Sequence, residues 1–278
     1  MSKTIYRFIA VGIFLFMLIT FLACSNSEKK NGRNNTNSSN AIQISYPKDH
    51  YDEVLNGRLI LLITDQIETE PRFQLRDDSK TCQAFGIDVN EWSSGNILQF
   101  DEDAFGYPIL SMKDLPSGEY FAQALFHKYE IFNRADGKLV KLPMDRGEGQ
   151  KWNKAPGNLY SIPQKVNIKN GQLPQIEIKL EQIIPSISQP ADTKYVKHIK
   201  LKSKLLSDFW GRDMYLGAHV LLPEGWDENL DVKYPLAIFH GHFPSDFGGF
   251  RPNPPDPNLK PEYSERFKVD GYNKFVQE

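Results

Sequence analysis

Cysteine is scarce in this chain: 278 residues contain only Cys24 and Cys82. Two thiols so far apart provide neither a disulfide framework nor a Cys-x-x-Cys metal cluster. Charge of one sign is also lacking. The 33 basic and 35 acidic side chains give a net charge of −2, and no basic run stands out in the body of the chain. That removes the electrostatic footprint of a nucleic-acid binder. No Gly-x-Ser step occurs anywhere, so a nucleophile elbow of the Gly-x-Ser-x-Gly type has no sequence from which to form. Past residue 23 there is no apolar run long enough to span a bilayer, and little helical periodicity.

The first 23 residues are the exception. Lys3 and Arg7 form a short basic region, and Phe8 to Ala23 is an almost unbroken apolar run. The run falls short of the ~20 residues of a membrane-spanning helix. It ends at a small residue, and a strongly polar segment follows, which is the layout of an export signal. Phe21-Leu-Ala-Cys24 resembles the bacterial lipobox. The resemblance implies that residues 1–23 are removed and that Cys24 is lipidated and becomes the mature N-terminus. Its acyl chains would hold the protein to a membrane at about 0.8 kcal/mol per buried methylene. The expected location is therefore the bacterial cell envelope, at the outer membrane or cell surface. Losing Lys3 and Arg7 with the signal leaves 31 basic against 35 acidic side chains, a net charge of −4. Residues 24–40 are expected to be a disordered tether, because 25–40 contain no apolar side chain to offset the entropy of ordering.

From residue 41 to 189 the pattern is one of short strands broken by turn chemistry. Arg58–Thr64 is a continuous apolar run preceded by Asn56-Gly57. Lys113–Gly118 is a turn, and in Glu119–Phe126 the residues Tyr120, Ala122, Ala124 and Phe126 share one face. Ala135-Asp-Gly137 and Asn170-Gly171 are hairpin signals, and Gln175–Leu180 alternates. Asp145–Pro163 reads as a long loop and Cys82 as a half-buried strand residue. These features predict a mostly β fold that opens with a β-sandwich of immunoglobulin-like size. Trp92 and Trp152 suggest a platform for stacking a glycan, although large aromatics more often belong to cores. Ile184–Asp192, with two prolines, reads as a linker into a second region, 190–278.

In that second region Val196–Ser203 alternates, Met214–Leu222 reads as a strand closed by Pro223-Glu-Gly225, and Tyr234–Phe239 as a buried strand running into His240-Gly-His242. The series Lys204–Ser207, Tyr215–Pro223, Glu224–Trp226 and Tyr234–His242 resembles the opening of an esterase-D-like (enterochelin-esterase-like) α/β hydrolase. There, two antiparallel strands lead into a central strand and a His-Gly-type turn. The resemblance covers about residues 196–278 and implies the first strands of an incomplete α/β-hydrolase domain. The parent activity it implies is carboxylester hydrolysis. It places the oxyanion hole at the backbone amides of Gly241, His242 and Phe243, where such donors contribute about 3–4 kcal/mol to transition-state stabilisation. His240, Phe247 and Phe250 would line the pocket.

The family's nucleophile lies many tens of residues beyond this turn, so the chain reads as truncated before it and inactive alone, with no catalytic residue present. His240 and His242 alternate and so point to opposite faces, and no further His or Cys lies nearby in sequence. Neither a metal nor a cofactor is expected. The substrate would be a small ester. The contrasting expectation is a non-enzymatic surface lipoprotein whose β-sandwich binds a glycan or a protein. The oligomeric state is not legible.

Overall fold

Turn chemistry sets the strand boundaries. The computed structural model describes residues 41–101, 104–223, 225–227, 231–240 and 247, and the predicted mostly β character holds across them. The strands, in chain order, are β1 (Ile42–Ser45), β2 (Leu55–Thr64), β3 (Gln83–Trp92), β4 (Leu98–Phe100), β5 (Phe105–Tyr107), β6 (Gly118–Asn133) and β7 (Leu139–Leu142). They are followed by β8 (Leu159–Tyr160), β9 (Gln164–Ile168), β10 (Ile176–Lys179), β11 (Gln182–Ile183), β12 (Val196–Lys202) and β13 (Tyr215–Leu221). One helix, α1 (Lys204–Trp210), lies between the last two.

Three sheets result. The largest runs β11-β8-β6-β2-β3-β5, with β7 and β9 also paired to the long β6. A smaller sheet, β10-β1-β4, joins β1 and β10 in parallel and β1 and β4 antiparallel. Ile42, Ile44 and Ile178 of the small sheet share one buried cluster with Leu59, Leu61, Ile63, Ala122, Ala124 and Phe126 of the large one. The two sheets therefore close over a single core, each presenting every second residue to it. Trp92 is central, 2 % exposed, edge-on to Tyr46 at 4.6 Å and to Phe126 at 5.3 Å. Its indole N–H donates to the Asn96 carbonyl at 2.9 Å. A ring held in this way cannot stack on a glycan, which corrects that reading for Trp92; Trp152 is only half-buried.

Several turns behave as their chemistry requires. Asn170 and Gly171 take φ of 50° and 71°, the paired left-handed conformations of a type I′ turn. Asn56-Gly57 differs from expectation, lying inside β2 at a register shift instead of ahead of the strand. A Cβ on Gly57 would meet the His127 carbonyl at 2.1 Å, so only glycine allows that approach. The Asn56 carboxamide accepts the Glu91 N–H (3.2 Å) and the Lys141 ammonium (2.7 Å), holding the irregularity. Residues 145–163 are largely irregular, as expected, but β8 interrupts them and pairs with β6. There Ser161 Oγ accepts from Ala124 N at 3.0 Å, and Asn158 Oδ1 from Lys128 N at 2.9 Å. Cys82 is fully buried one residue ahead of β3, not half-buried within it.

The third sheet is the β12–β13 hairpin alone, in register over seven pairs from Val196↔Leu221 to Lys202↔Tyr215. Both of its faces are largely exposed.

Candidate functional site

The hairpin carries the chain toward the expected oxyanion turn, and its anchoring is built from local rules. Ser203 caps α1 by accepting from Leu206 N at 3.3 Å, and Gly211 ends the helix at φ 64°. The two signals, Ser203 and Gly211, frame a helix that strand-based reading of Lys204–Gly211 passes over. The helix then docks on the tip of the β6–β7 hairpin. Trp210 meets Phe132 at 5.4 Å, the Arg134 guanidinium lies 5.2 Å from the Phe209 ring, and Ala135 N donates to the Phe209 carbonyl at 2.7 Å. The Glu130 carboxylate, near the end of β6, accepts from both Arg146 and Arg212, tying the 145–149 loop and the helix–hairpin segment to the large sheet.

Beyond the hairpin the expectation of a central strand is corrected. Residues 232–240 contain no strand, and Leu236, Ile238 and Phe239 are 80 %, 82 % and 88 % exposed. The physical reason is partnership. An all-apolar strand is stable where neighbours cover both faces, and among the described residues none pairs with this one. His240 lies at the end of this exposed segment, and Phe247 is 37 % exposed. Gly241, His242, Phe243 and Phe250 lie outside the described residues, as does Cys24. Of the expected site residues around the turn, only His240 and Phe247 are described.

Other groups of chemical interest are accounted for by packing. A shallow cleft of about 510 Å³ lies between the end of β12, α1 and the Gly211–Asp213 segment, but its charges are matched: Lys202 with Asp213 at 2.6 Å and Lys204 with Asp208 at 2.5 Å. Ser207, on its wall, donates to the Ser203 carbonyl at 2.7 Å and accepts from Met214 N at 2.9 Å. With its hydroxyl committed to holding the helix end, it is not an activated nucleophile. Burial pushes the Cys82 thiol up to about 11, so it stays protonated and inert. Burial also holds His127 neutral, down at about 4. Burial would raise the Glu70 carboxyl, but hydrogen bonds from Arg72 and Gln123 outweigh that and lower it. Arg72 itself is buried between the Phe73 and Tyr160 rings, at 4.4 and 4.0 Å, and bonds Glu70 at 2.8 Å. These contacts make a hydrogen-bonded structural network around the buried Arg72.

One further cluster has free chemistry. On the hairpin, His198 and His219 stand on the same rung with ring centroids 4.8 Å apart, and Asp192 holds the His198 Nδ1 at 3.0 Å. From sequence, His219 falls within the Met214–Leu222 strand and carries no further signal. The signal that could have found the pair is the antiparallel register, which sets His198 opposite His219.

No family model, curated protein or solved structure matches this chain.

Proposed function

We propose that this chain is a lipid-anchored protein of the bacterial cell envelope, tethered through Cys24, in which an immunoglobulin-like β-sandwich precedes the front end of an esterase-like α/β hydrolase. The observation that carries the hydrolase reading is the order of elements. A two-sheet β region is followed by an antiparallel hairpin paired over seven rungs, then by the apolar Tyr234–Phe239 segment and His240-Gly-His242. In sequence order that is the family's opening, although Tyr234–Phe239 forms no strand here. The parent reaction is hydrolysis of a small carboxylic ester, with the amides of Gly241, His242 and Phe243 stabilising the oxyanion. Since the chain contains no Gly-x-Ser, it is inactive by itself on this reading.

Two measurements test it. The purified chain should not turn over a p-nitrophenyl acyl ester; turnover abolished by a serine-directed phosphonate would overturn the claim of inactivity. An in-frame Gly-x-Ser-x-Gly in the nucleotides after codon 278 would support the hydrolase reading, and a stop codon directly there would count against it. The anchor is tested separately. Radiolabelled palmitate should enter the wild-type protein and not Cys24→Ser, and equal labelling of both would refute it.

A further inference from the structure

The β12–β13 hairpin displays a cluster of metal-ligating side chains that, among the described residues, packing leaves unexplained. His198 and His219 face each other directly across the antiparallel ladder, the arrangement in which Cβ atoms lie about 4.5–5.5 Å apart on one face. Their ring planes are 83° apart and their centroids 4.8 Å apart. The chain ahead of β12 folds back so that one oxygen of Asp192 accepts the His198 backbone N–H at 2.9 Å and lies 3.0 Å from Nδ1. A carboxylate at Nδ1 selects the tautomer with the proton on that nitrogen and leaves the Nε2 lone pair free to ligate.

We propose that His198 and His219 bind a divalent transition-metal ion of the Zn²⁺ or Cu²⁺ class, oriented by Asp192. Dimensions support this. Two imidazoles bound to one tetrahedral ion through nitrogens at about 2.0–2.1 Å place their ring centroids about 5 Å apart, against the observed 4.8 Å. Imidazole pairs select borderline metals over Mg²⁺ or Ca²⁺, which require a cage of oxygens. Among the described residues no three His, Cys, Asp or Glu side chains converge on one ion. The remaining positions therefore fall to water, which makes the site open and exchangeable. By the usual affinity order Cu²⁺ binds more tightly than Zn²⁺. The proposal is independent of the hydrolase reading.

The test is calorimetric titration of the full, metal-free chain with ZnCl₂, repeated with CuSO₄. One ion per chain is expected. His198→Gln and His219→Gln should each abolish the Zn²⁺ signal, and Asp192→Asn should weaken it about 10–100-fold. His240→Gln/His242→Gln should leave it unchanged. Circular dichroism establishes that each variant keeps its strand content. A readout free of mutation is proton NMR. The imidazole signals of two histidines should move together on adding Zn²⁺, while the half-buried His127 stays fixed. Absence of Zn²⁺ and Cu²⁺ uptake by the wild type, or uptake that survives in both single glutamine variants, would overturn the proposal and leave the pair as edge-to-face packing.

Discussion

The two-sheet region and the segment after it use the same residue types to opposite ends. In β2, Leu59, Leu61 and Ile63 are fully buried. In 234–239 a comparable apolar run, Leu236, Ile238 and Phe239, is at least 80 % exposed. Composition does not separate them. What differs is supply of partners: β2 has β3 on one side, β6 on the other and the β1 sheet across the core, whereas the later run has no paired neighbour among the described residues. Hydrophobicity states what a segment needs, and topology decides whether it is met.

The sharpest way to break that comparison is to remove one large side chain from each region. Trp92→Ala should cost about 3–5 kcal/mol, because it empties a site packed by Tyr46 and Phe126. Leu236→Ala should change stability by less than about 0.5 kcal/mol, as surface substitutions do. Urea unfolding followed by far-UV circular dichroism measures both. A Leu236→Ala cost near that of Trp92→Ala would show that the exposed run is packed in solution.

Next in size is the joint between the regions. The Glu130 side chain is 17 % exposed and is shared by Arg146 and Arg212. Glu130→Gln removes its charge from both contacts and should cost about 1.5–3 kcal/mol, the range for hydrogen bonds to charged groups. The loss should be local. Amide exchange in α1 and β13 should accelerate while β2 and the centre of β6 keep their protection. Uniform acceleration would mean that hairpin and sheets unfold as one unit. Limited proteolysis sharpens the same point, since cleavage is expected first at 185–194 or 231–240 and only later within 55–64.

Much of the two-sheet region was legible because its signals are local. Alternation placed Tyr120, Ala122, Ala124 and Phe126 on one face, and Asn170-Gly171 and Asp136-Gly137 marked turns that the backbone makes. Asn56-Gly57 reads from sequence as preceding the strand, but it fits a bulge inside it, and the approach of the His127 carbonyl to Gly57 shows why glycine sits there. Tyr234–Phe239 misled for the complementary reason, since a run can specify burial without specifying a neighbour. The His198–His219 pair was hidden because pairing register is non-local and becomes visible only once the hairpin is closed.

A smaller effect follows from pH. His127, on β6, is held neutral by burial, titrating at about 4 against an ordinary 6.5. Between those values the unfolded chain binds more protons than the folded one, so its contribution to stability is complete above about pH 6.5 and is lost as pH falls toward 4. His127→Gln should flatten that part of the urea-midpoint profile between pH 7 and 4.5 relative to wild type. An unchanged slope would place the acid sensitivity elsewhere.

The smallest effect lies in α1, where charge placement opposes the helix dipole. Lys204 begins the helix and Asp208 sits one turn later, joined at 2.5 Å. Their order is the weaker one, with the cation toward the positive N-terminal end and the anion toward the C-terminal end. Both side chains are exposed, so the pair offsets part of this unfavourable placement and adds little beyond it. Exchanging the two, Lys204→Glu with Asp208→Lys, keeps an i,i+4 pair and reverses its alignment with the dipole. Thermal unfolding should show a gain of a few tenths of a kcal/mol, diminishing in high salt as screening removes both contributions. Equal or lower stability at low salt would mean that the Lys202–Asp213 pair on the neighbouring strands, and not the helix dipole, governs the local electrostatics.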